Sequence, residues 1–192
     1  MKSWLLPAGL LALALFAAAA AGNPRVIIKT DKGDITVEVD PARAPVTAAN
    51  FLRYVDAGFY DGSAFHRTVT LANQPNDAVQ IEVIQGGILP DDKTFPPIAH
   101  ETTATTGLSH VDGALSMARA RPGSATSSFF FCINDQPSLD FGGKRNPDGQ
   151  GFAAFGRVVQ GMDVVRTIHA LPAQGQQLSP PVKIISARRI DR

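Results

Sequence analysis

The chain has 192 residues, of which 44% are hydrophobic and 18% charged, with 17 glycines and 14 prolines. This composition supplies enough apolar surface for one folded domain rich in turns, and it excludes a disordered protein or a coiled coil. Lys and Arg number 18 and Asp and Glu 17; only Lys2 falls in the first 22 residues, so the remainder carries 17 of each. A neutral domain without a long basic run is not expected to bind nucleic acid.

The first 22 residues have the pattern of a secretory signal peptide. Lys2 precedes an apolar stretch from Trp4 to Ala21 that ends in five alanines, and small residues of this kind are typical of a cleavage site. The alternative is a membrane anchor, but 18 apolar residues are at the short end of what spans a bilayer. We therefore predict a signal peptide over 1–22, a mature domain over 23–192, and a periplasmic or secreted protein that leaves the membrane after cleavage.

A hairpin and a helix are predicted at the start of the mature domain. Val26–Thr30 and Ile35–Val39 flank a polar four-residue turn, and apolar and polar residues alternate in the second run. A helix is predicted from Ala44 to Asp56, because Pro45 stands at an early position and Gly58 follows just past the end.

Short β-like runs separated by Gly, Pro, Asn and Asp occupy the rest of the chain. A second helix is predicted from Met162 to Ala170, and Pro172–Pro181 is interpreted as a surface loop. Eight short strands and two helices in one domain favour a mostly β fold, a closed antiparallel eight-stranded β-barrel with two α-helices, because closure leaves no exposed sheet edge. The remaining predicted strands are Ala64–Val69, Val79–Gln85, Gly113–Ala118, Phe129–Ile133, Ala153–Val158 and Val182–Arg188.

Four short motifs follow one another along these runs. They are Phe65-His66-Arg67, Gln85-Gly86-Gly87, Ser116-Met117-Ala118 and Phe155-Gly156-Arg157-Val158. Each motif alone is weak, but in this order the sequence resembles the cyclophilins, a family of peptidyl-prolyl cis-trans isomerases, over most of residues 26–190. The resemblance implies a cyclophilin-like barrel that acts as a monomer on proline-containing unfolded or exposed peptide segments.

The chemistry of this reaction explains why an arginine is needed. Rotation about an X-Pro bond is opposed by amide resonance, with a barrier of about 18–20 kcal/mol. In the twisted state the prolyl nitrogen regains a lone pair, so a fixed donor aimed at that nitrogen stabilises the twisted state more than the planar one. A guanidinium is always charged and only donates. No nucleophile, metal or general base is required, so neither a metal nor a cofactor is expected.

The resemblance assigns roles residue by residue. It implies that Arg67 is the catalytic arginine and that Gln85 binds the substrate backbone and helps to orient it. Ala118-Arg119-Ala120 corresponds to the segment that pairs with the main chain of the substrate. The other implied substrate contacts are His66 at the rim, Val83, Phe130 and Leu139 in the proline pocket, Ser128, and Phe152 near the position of a rim histidine.

Several positions depart from the family's pattern. Glu82 stands where a pocket phenylalanine is usual, and Ser128 where a second glutamine is usual. Ser138 stands where many members carry a tryptophan that offers its indole N–H to cyclosporin, the family's cyclic-peptide ligand. The interval from Thr70 to Gln80 is also longer than the family norm. These departures bear on substrate preference, catalytic efficiency and ligand affinity more than on the fold.

Other interpretations of single residues are less favoured. The apolar neighbours of Cys132 favour a buried strand residue over a nucleophile. The segment 146–151 offers oxygen ligands but lacks the spaced acids of a calcium loop. A triad of Ser63, His66 and Asp61 would require three local residues to converge, which is uncommon.

Two functions from different classes remain. The first is an isomerase that assists the folding of exported proteins, in which slow X-Pro isomerisation limits the rate. The alternative is a catalytically weak cyclophilin-like module that binds peptides or acts as a chaperone. The presence of both Arg67 and Gln85 favours the enzyme. A small-molecule-binding barrel is less favoured, because strand alternation sends Phe129 and Phe131 into the barrel interior and Phe130 to the pocket.

Overall fold

The computed structural model describes residues 22–190, so the predicted signal peptide lies, except for Gly22, outside the described residues. The described part contains nine strands and three helices. The strands are β1 (Arg25–Thr30), β2 (Gly33–Val39), β3 (Ala64–Val69), β4 (Val83–Gly86), β5 (Ala114–Met117), β6 (Phe129–Cys132), β7 (Ala153–Gln160), β8 (Ala173–Gln174) and β9 (Gln177–Ile190). The helices are α1 (Pro45–Asp56), α2 (Thr103–Thr106) and α3 (Met162–His169).

Eight of the strands close into an antiparallel barrel. Their order around the sheet is β1-β2-β7-β5-β6-β4-β3-β9, and β9 pairs again with β1, so no barrel strand is left with a free edge. The two-residue strand β8 pairs with β9 as an addition to the barrel. The predicted mostly β fold and closed eight-stranded barrel are therefore confirmed.

The predicted number of helices is wrong, because the described chain has three helices rather than two. The additional helix, α2, is a single turn with no apolar stripe that a sequence pattern would reveal. The Thr102 hydroxyl accepts from the Thr105 N–H at its start, and Gly107 ends it in the left-handed conformation at φ 68°. Within residues 22–190 no helix has the length and apolar character needed to cross a membrane.

Two segments differ from their sequence-based predictions. The strand predicted over 79–85 begins only at Val83, because the buried Gln74 amide binds both the N–H and the carbonyl oxygen of Ile81 and folds the preceding residues into a loop. The predicted surface loop 172–181 instead contains a hairpin, in which β8 and β9 are joined through Gly175 at φ 61°. This hairpin brings Gln176 next to β3.

Aromatic rings fill the barrel interior. Phe129 is fully buried, and its ring centroid lies 5.5 Å from that of Phe51 on α1 and 5.3 Å from that of Tyr60. Phe131 belongs to the same core, whereas Phe130 packs in a second apolar cluster on the other face of β6. The predicted alternation along this strand is therefore confirmed. Cys132 is buried as predicted, and burial raises the pKa of its thiol.

The aromatic core makes a large contribution to stability. We expect Phe129→Ala to lower the free energy of unfolding by about 3–5 kcal/mol, because it removes a ring packed against several others and leaves a cavity. Urea unfolding followed by circular dichroism measures this change. Phe141→Ala is the matched control, since Phe141 is 49% exposed, and it should change stability by only about 0.5 kcal/mol. Equal effects of the two substitutions would contradict the assignment of the core.

Candidate active site

A cleft of about 130 Å³ opens beside strands β3, β4 and β6. Most of the residues singled out from the sequence converge on it. The cleft is lined by Arg67, Ile81, Val83, Gln85, Ala118, Arg119, Phe130, Leu139 and Phe152. The predicted residues His66, Ala120 and Ser128 are not part of this lining, and Ile81 is an addition that the sequence did not indicate.

Strand register places the central side chains in a row. Arg67 on β3 is paired with Gln85 on β4, and Gln85 is paired in turn with Phe130 on β6. Residues directly opposite one another on neighbouring strands share a face of the sheet. A register shift between Phe65 and Arg67, at His66, accompanies this arrangement. The barrel therefore sets a cation, an amide and an aromatic ring side by side.

The guanidinium of Arg67 is held on two of its edges. Its Nη1 donates to Oε1 of Gln85 at 2.9 Å, while Nε and Nη2 donate to Oε1 of Gln176 at 3.0 and 2.5 Å. Burial, and then the charge of Arg145, lower the pKa of Arg67, but an arginine of this kind stays protonated at neutral pH. The sequence did not indicate Gln176, which lies 109 positions away.

Ser128 supports Gln85 from behind the cleft. The Nε2 of Gln85 donates to the Ser128 hydroxyl at 3.0 Å, and that hydroxyl donates to the Gly86 carbonyl oxygen at 3.1 Å. Because the amide nitrogen is occupied in this way, the amide oxygen of Gln85 faces Arg67. The short side chain at 128 therefore fixes the orientation of the glutamine.

The walls of the cleft are apolar. The Phe130 and Phe152 rings meet edge to face, with centroids 5.3 Å apart, and Leu139 is fully buried beside them. Ile81 and Val83 complete this wall.

The expectation that Glu82 replaces a pocket residue is wrong. Neighbouring residues in an extended chain point to opposite sides, so Glu82 turns away from the cleft that Ile81 and Val83 line. Its carboxylate accepts from Asn134 Nδ2 at 3.1 Å.

The side chain of Arg119 has a role that the sequence did not predict. Only 1% of it is exposed, and its Nη1 and Nη2 donate to the two carboxylate oxygens of Asp148 at 2.8 and 2.9 Å. Its Nε and Nη2 also donate to the Gly151 carbonyl oxygen. These bonds fasten the glycine-rich segment before Phe152 at the rim of the cleft. The hydrogen bond from Arg119 is the largest cause that lowers the pKa of Asp148 to about 2.

Two backbone N–H groups next to Arg119 already form hydrogen bonds within the protein. The Ala118 N–H donates to the Ser128 carbonyl oxygen at 2.9 Å, and the Ala120 N–H donates to the Ser124 hydroxyl at 3.1 Å.

Among residues 22–190 no group of three or more His, Cys, Asp and Glu side chains is arranged to hold a metal ion.

A different Ser, His and Asp set is present but is inaccessible. His110 Nδ1 lies 2.7 Å from Oδ1 of Asp140, and its Nε2 lies 2.9 Å from the Ser116 hydroxyl. His110 and Ser116 are at most 1% exposed, so the hydroxyl cannot reach a substrate. The His110 ring stacks on Phe130 with centroids 5.9 Å apart. This network therefore supports the Phe130 wall from behind.

A larger cleft of about 370 Å³ lies elsewhere on the barrel. Its charged side chains pair with one another, since Arg43 bonds Asp40 at 2.7 Å and Arg157 lies 3.6 Å from Glu38. None of the site residues predicted from the sequence lines it. The smaller cleft at Arg67 is therefore the candidate active site.

Comparisons with known proteins identify the family to which the chain is similar. Residues 25–189 match the family described as cyclophilin type peptidyl-prolyl cis-trans isomerase/CLD. A peptidyl-prolyl cis-trans isomerase of Acinetobacter baylyi is 37% identical, over 91% of this chain and 89% of that protein. Peptidyl-prolyl cis-trans isomerase A of Dickeya dadantii is 38% identical, over 91% of this chain and 88% of that protein.

A solved structure shares the fold. The crystal structure of a cyclophilin type peptidyl-prolyl cis-trans isomerase from Cryptosporidium parvum matches with a TM-score of 0.70 and 21% identity, over 88% of this chain and 99% of that chain. The same protein in the presence of the dipeptide Ala-Pro matches with a TM-score of 0.68. The family match over residues 25–189 and the two relatives of 37% and 38% identity show that the chain belongs to the cyclophilin-type peptidyl-prolyl cis-trans isomerases.

Proposed function

We propose that this isomerase accelerates X-Pro isomerisation during the folding of exported proteins, in the periplasm or outside the cell. Its substrates are proline-containing segments that are unfolded or exposed. The observation that carries the assignment of the site is an arginine fixed by two amide oxygens at the edge of an apolar pocket. The signal-peptide pattern of residues 1–22 supports the exported location.

In this mechanism Arg67 is the catalytic residue. The proline ring lies against Phe130 and Leu139, and a free guanidinium N–H is directed at the prolyl nitrogen as the bond twists. A turnover near 10³ per second corresponds to a barrier of roughly 13 kcal/mol, so about 6 kcal/mol must be removed from the uncatalysed barrier. A charge-assisted hydrogen bond supplies about 1.5–3 kcal/mol. The remainder comes from the dry pocket and from groups such as Gln85 that hold the flanking backbone twisted.

The alternative of a catalytically weak peptide-binding module depends on Glu82 and Ser128, two positions that depart from the family's pattern. Glu82 bonds Asn134 away from the cleft, and Ser128 holds the amide of Gln85 in the orientation that Arg67 needs. Neither residue therefore weakens the contact between Arg67 and Gln85. Both observations favour the enzyme.

The exported location and the folding role are tested with the full-length chain expressed in a bacterium with a periplasm. We expect the protein in the periplasmic fraction, with an amino terminus that follows residue 20, 21 or 22. Added to an unfolded exported protein whose slow refolding phase is X-Pro isomerisation, it should accelerate that phase, and the Arg67→Ala variant should not. An intact chain beginning at Met1 in the membrane fraction would contradict the location, and an unchanged slow phase would contradict the role.

The activity is expected to be independent of pH between 7 and 9. The pKa of His66 is lowered, and burial is the largest cause of the shift. The His66 ring is therefore neutral throughout this range. Arg67 remains charged although burial lowers its pKa. We expect kcat/KM for an Ala-Pro peptide to vary by less than about twofold, measured by NMR exchange without a coupling protease. A bell-shaped profile would show that a group with a pKa in this range takes part in the reaction.

A further inference from the structure

We propose that Gln176, on the β8–β9 hairpin, is a positioning residue that fixes the guanidinium of Arg67 for catalysis. The inference rests on the proposed catalytic role of Arg67. One amide oxygen of Gln176 accepts from both Nε and Nη2 of the arginine, which is the larger share of the bonds that hold this group.

The N–H donors of the Arg67 guanidinium are divided between Gln176, Gln85 and the substrate. A guanidinium has five N–H bonds in one plane. Gln176 occupies the Nε–H and one hydrogen of Nη2, and Gln85 occupies one hydrogen of Nη1. One hydrogen on each terminal nitrogen is left for a substrate. If Gln85 were the only acceptor, the planar guanidinium could rotate about one hydrogen bond. Acceptors on two of its edges fix the plane of the guanidinium.

The hairpin backbone is anchored independently of the Gln176 side chain. The Thr68 N–H donates to the Gln176 carbonyl oxygen at 2.9 Å, and Arg67 is paired in register with Gln177. Asn73 Nδ2 donates to the carbonyl oxygens of Thr68 and Gly175 at 3.0 and 3.1 Å. A substitution at 176 therefore removes the contact with the guanidinium and the long 3.5 Å bond from Gln176 Nε2 to the Asn73 carbonyl oxygen, while these backbone bonds keep the hairpin in place.

The chemistry of the acceptor also suits the reaction. An amide oxygen binds the guanidinium without cancelling its positive charge. That charge stabilises the lone pair on the twisted prolyl nitrogen. A carboxylate at the same place would hold the group equally well but would neutralise the charge. Glutamine therefore combines fixed geometry with a retained charge.

The first test compares Gln176→Leu with Gln174→Leu. Leucine removes the acceptor and cannot hydrogen-bond the guanidinium, and Gln174 is an exposed residue of the same hairpin with no side-chain hydrogen bond among the described residues. For an Ala-Pro peptide measured by NMR exchange, we expect Gln176→Leu to lower kcat about tenfold and to change KM less than twofold. The control should keep both constants within about twofold of the parent values.

Two further readouts separate positioning from a general structural effect. The Arg67 Nε–H signal, assigned by its loss in Arg67→Lys, should shift in Gln176→Leu but not in Gln174→Leu. In the Arg67→Lys background, Gln176→Leu should change kcat less than twofold, because the bonds it removes are already absent.

The outcomes distinguish this inference from the proposed site itself. An active parent protein with an unaffected Gln176→Leu variant, or an equal loss of kcat in both backgrounds, would overturn the positioning role alone. A parent protein with no activity on the peptide would contradict the proposed catalytic site, and the role of Gln176 would fail with it.

Discussion

Arg67→Ala is expected to lower kcat/KM for an Xaa-Pro peptide at least a hundredfold while leaving the barrel folded. A hundredfold loss corresponds to about 2.7 kcal/mol of transition-state stabilisation, which is the upper range for one charge-assisted hydrogen bond. The alanine also leaves the amide oxygens of Gln85 and Gln176 without their donor, so the loss includes the cost of leaving these two acceptors unpaired.

A protease-coupled or NMR exchange assay measures this effect, with circular dichroism as the check on folding. Arg157→Ala is the matched control. The Arg157 side chain is 68% exposed, and its Nη2 lies 3.6 Å from Oε1 of Glu38, away from the cleft. This control should retain activity within about twofold. Wild-type activity in Arg67→Ala with an unchanged spectrum would show that the proposed mechanism is wrong.

The central row of the site was predictable because its signals are local. Each of Arg67, Gln85 and Phe130 lies within a short motif or an alternating strand, so its neighbours in sequence define its face of the sheet. The first hairpin and α1 were predictable for the same reason, since turn residues, Pro45 and strand alternation act over a few positions. Barrel closure followed from the number of short strands.

The supporting contacts were not predictable, because they depend on tertiary neighbours. Gln176 belongs to a segment rich in Gln, Gly and Pro with no apolar alternation, and only strand pairing brings it to Arg67. Arg119 meets Asp148 across 29 positions, and nothing in the local pattern marks its side chain as buried. The register that places Ile81 in the cleft depends on the buried amide of Gln74.

The cyclic peptide cyclosporin is expected to inhibit this isomerase weakly even though Arg67 and Gln85 are both present and hydrogen-bonded to each other. In the resemblance to the family, Ser138 takes the place of a tryptophan that donates its indole N–H to this ligand. The only tryptophan of the chain is Trp4. Ser138 lies in the short 3₁₀ turn Pro137–Leu139, next to a residue that lines the cleft. Losing a donor and a large apolar surface together costs about 3 kcal/mol or more, which is over a hundredfold in affinity.

The pocket itself gives no additional reason for weak binding, because Ile81 rather than Glu82 faces the cleft and the apolar wall is continuous. The expected loss is therefore concentrated at position 138, and one substitution tests it. Titration of Ser138→Trp with cyclosporin should give inhibition at least tenfold tighter than that of the parent enzyme. Val111→Trp is the control, since Val111 is 49% exposed and does not line this cleft. Tight inhibition of the parent enzyme, unimproved by the tryptophan at 138, would show that the ligand depends on other contacts.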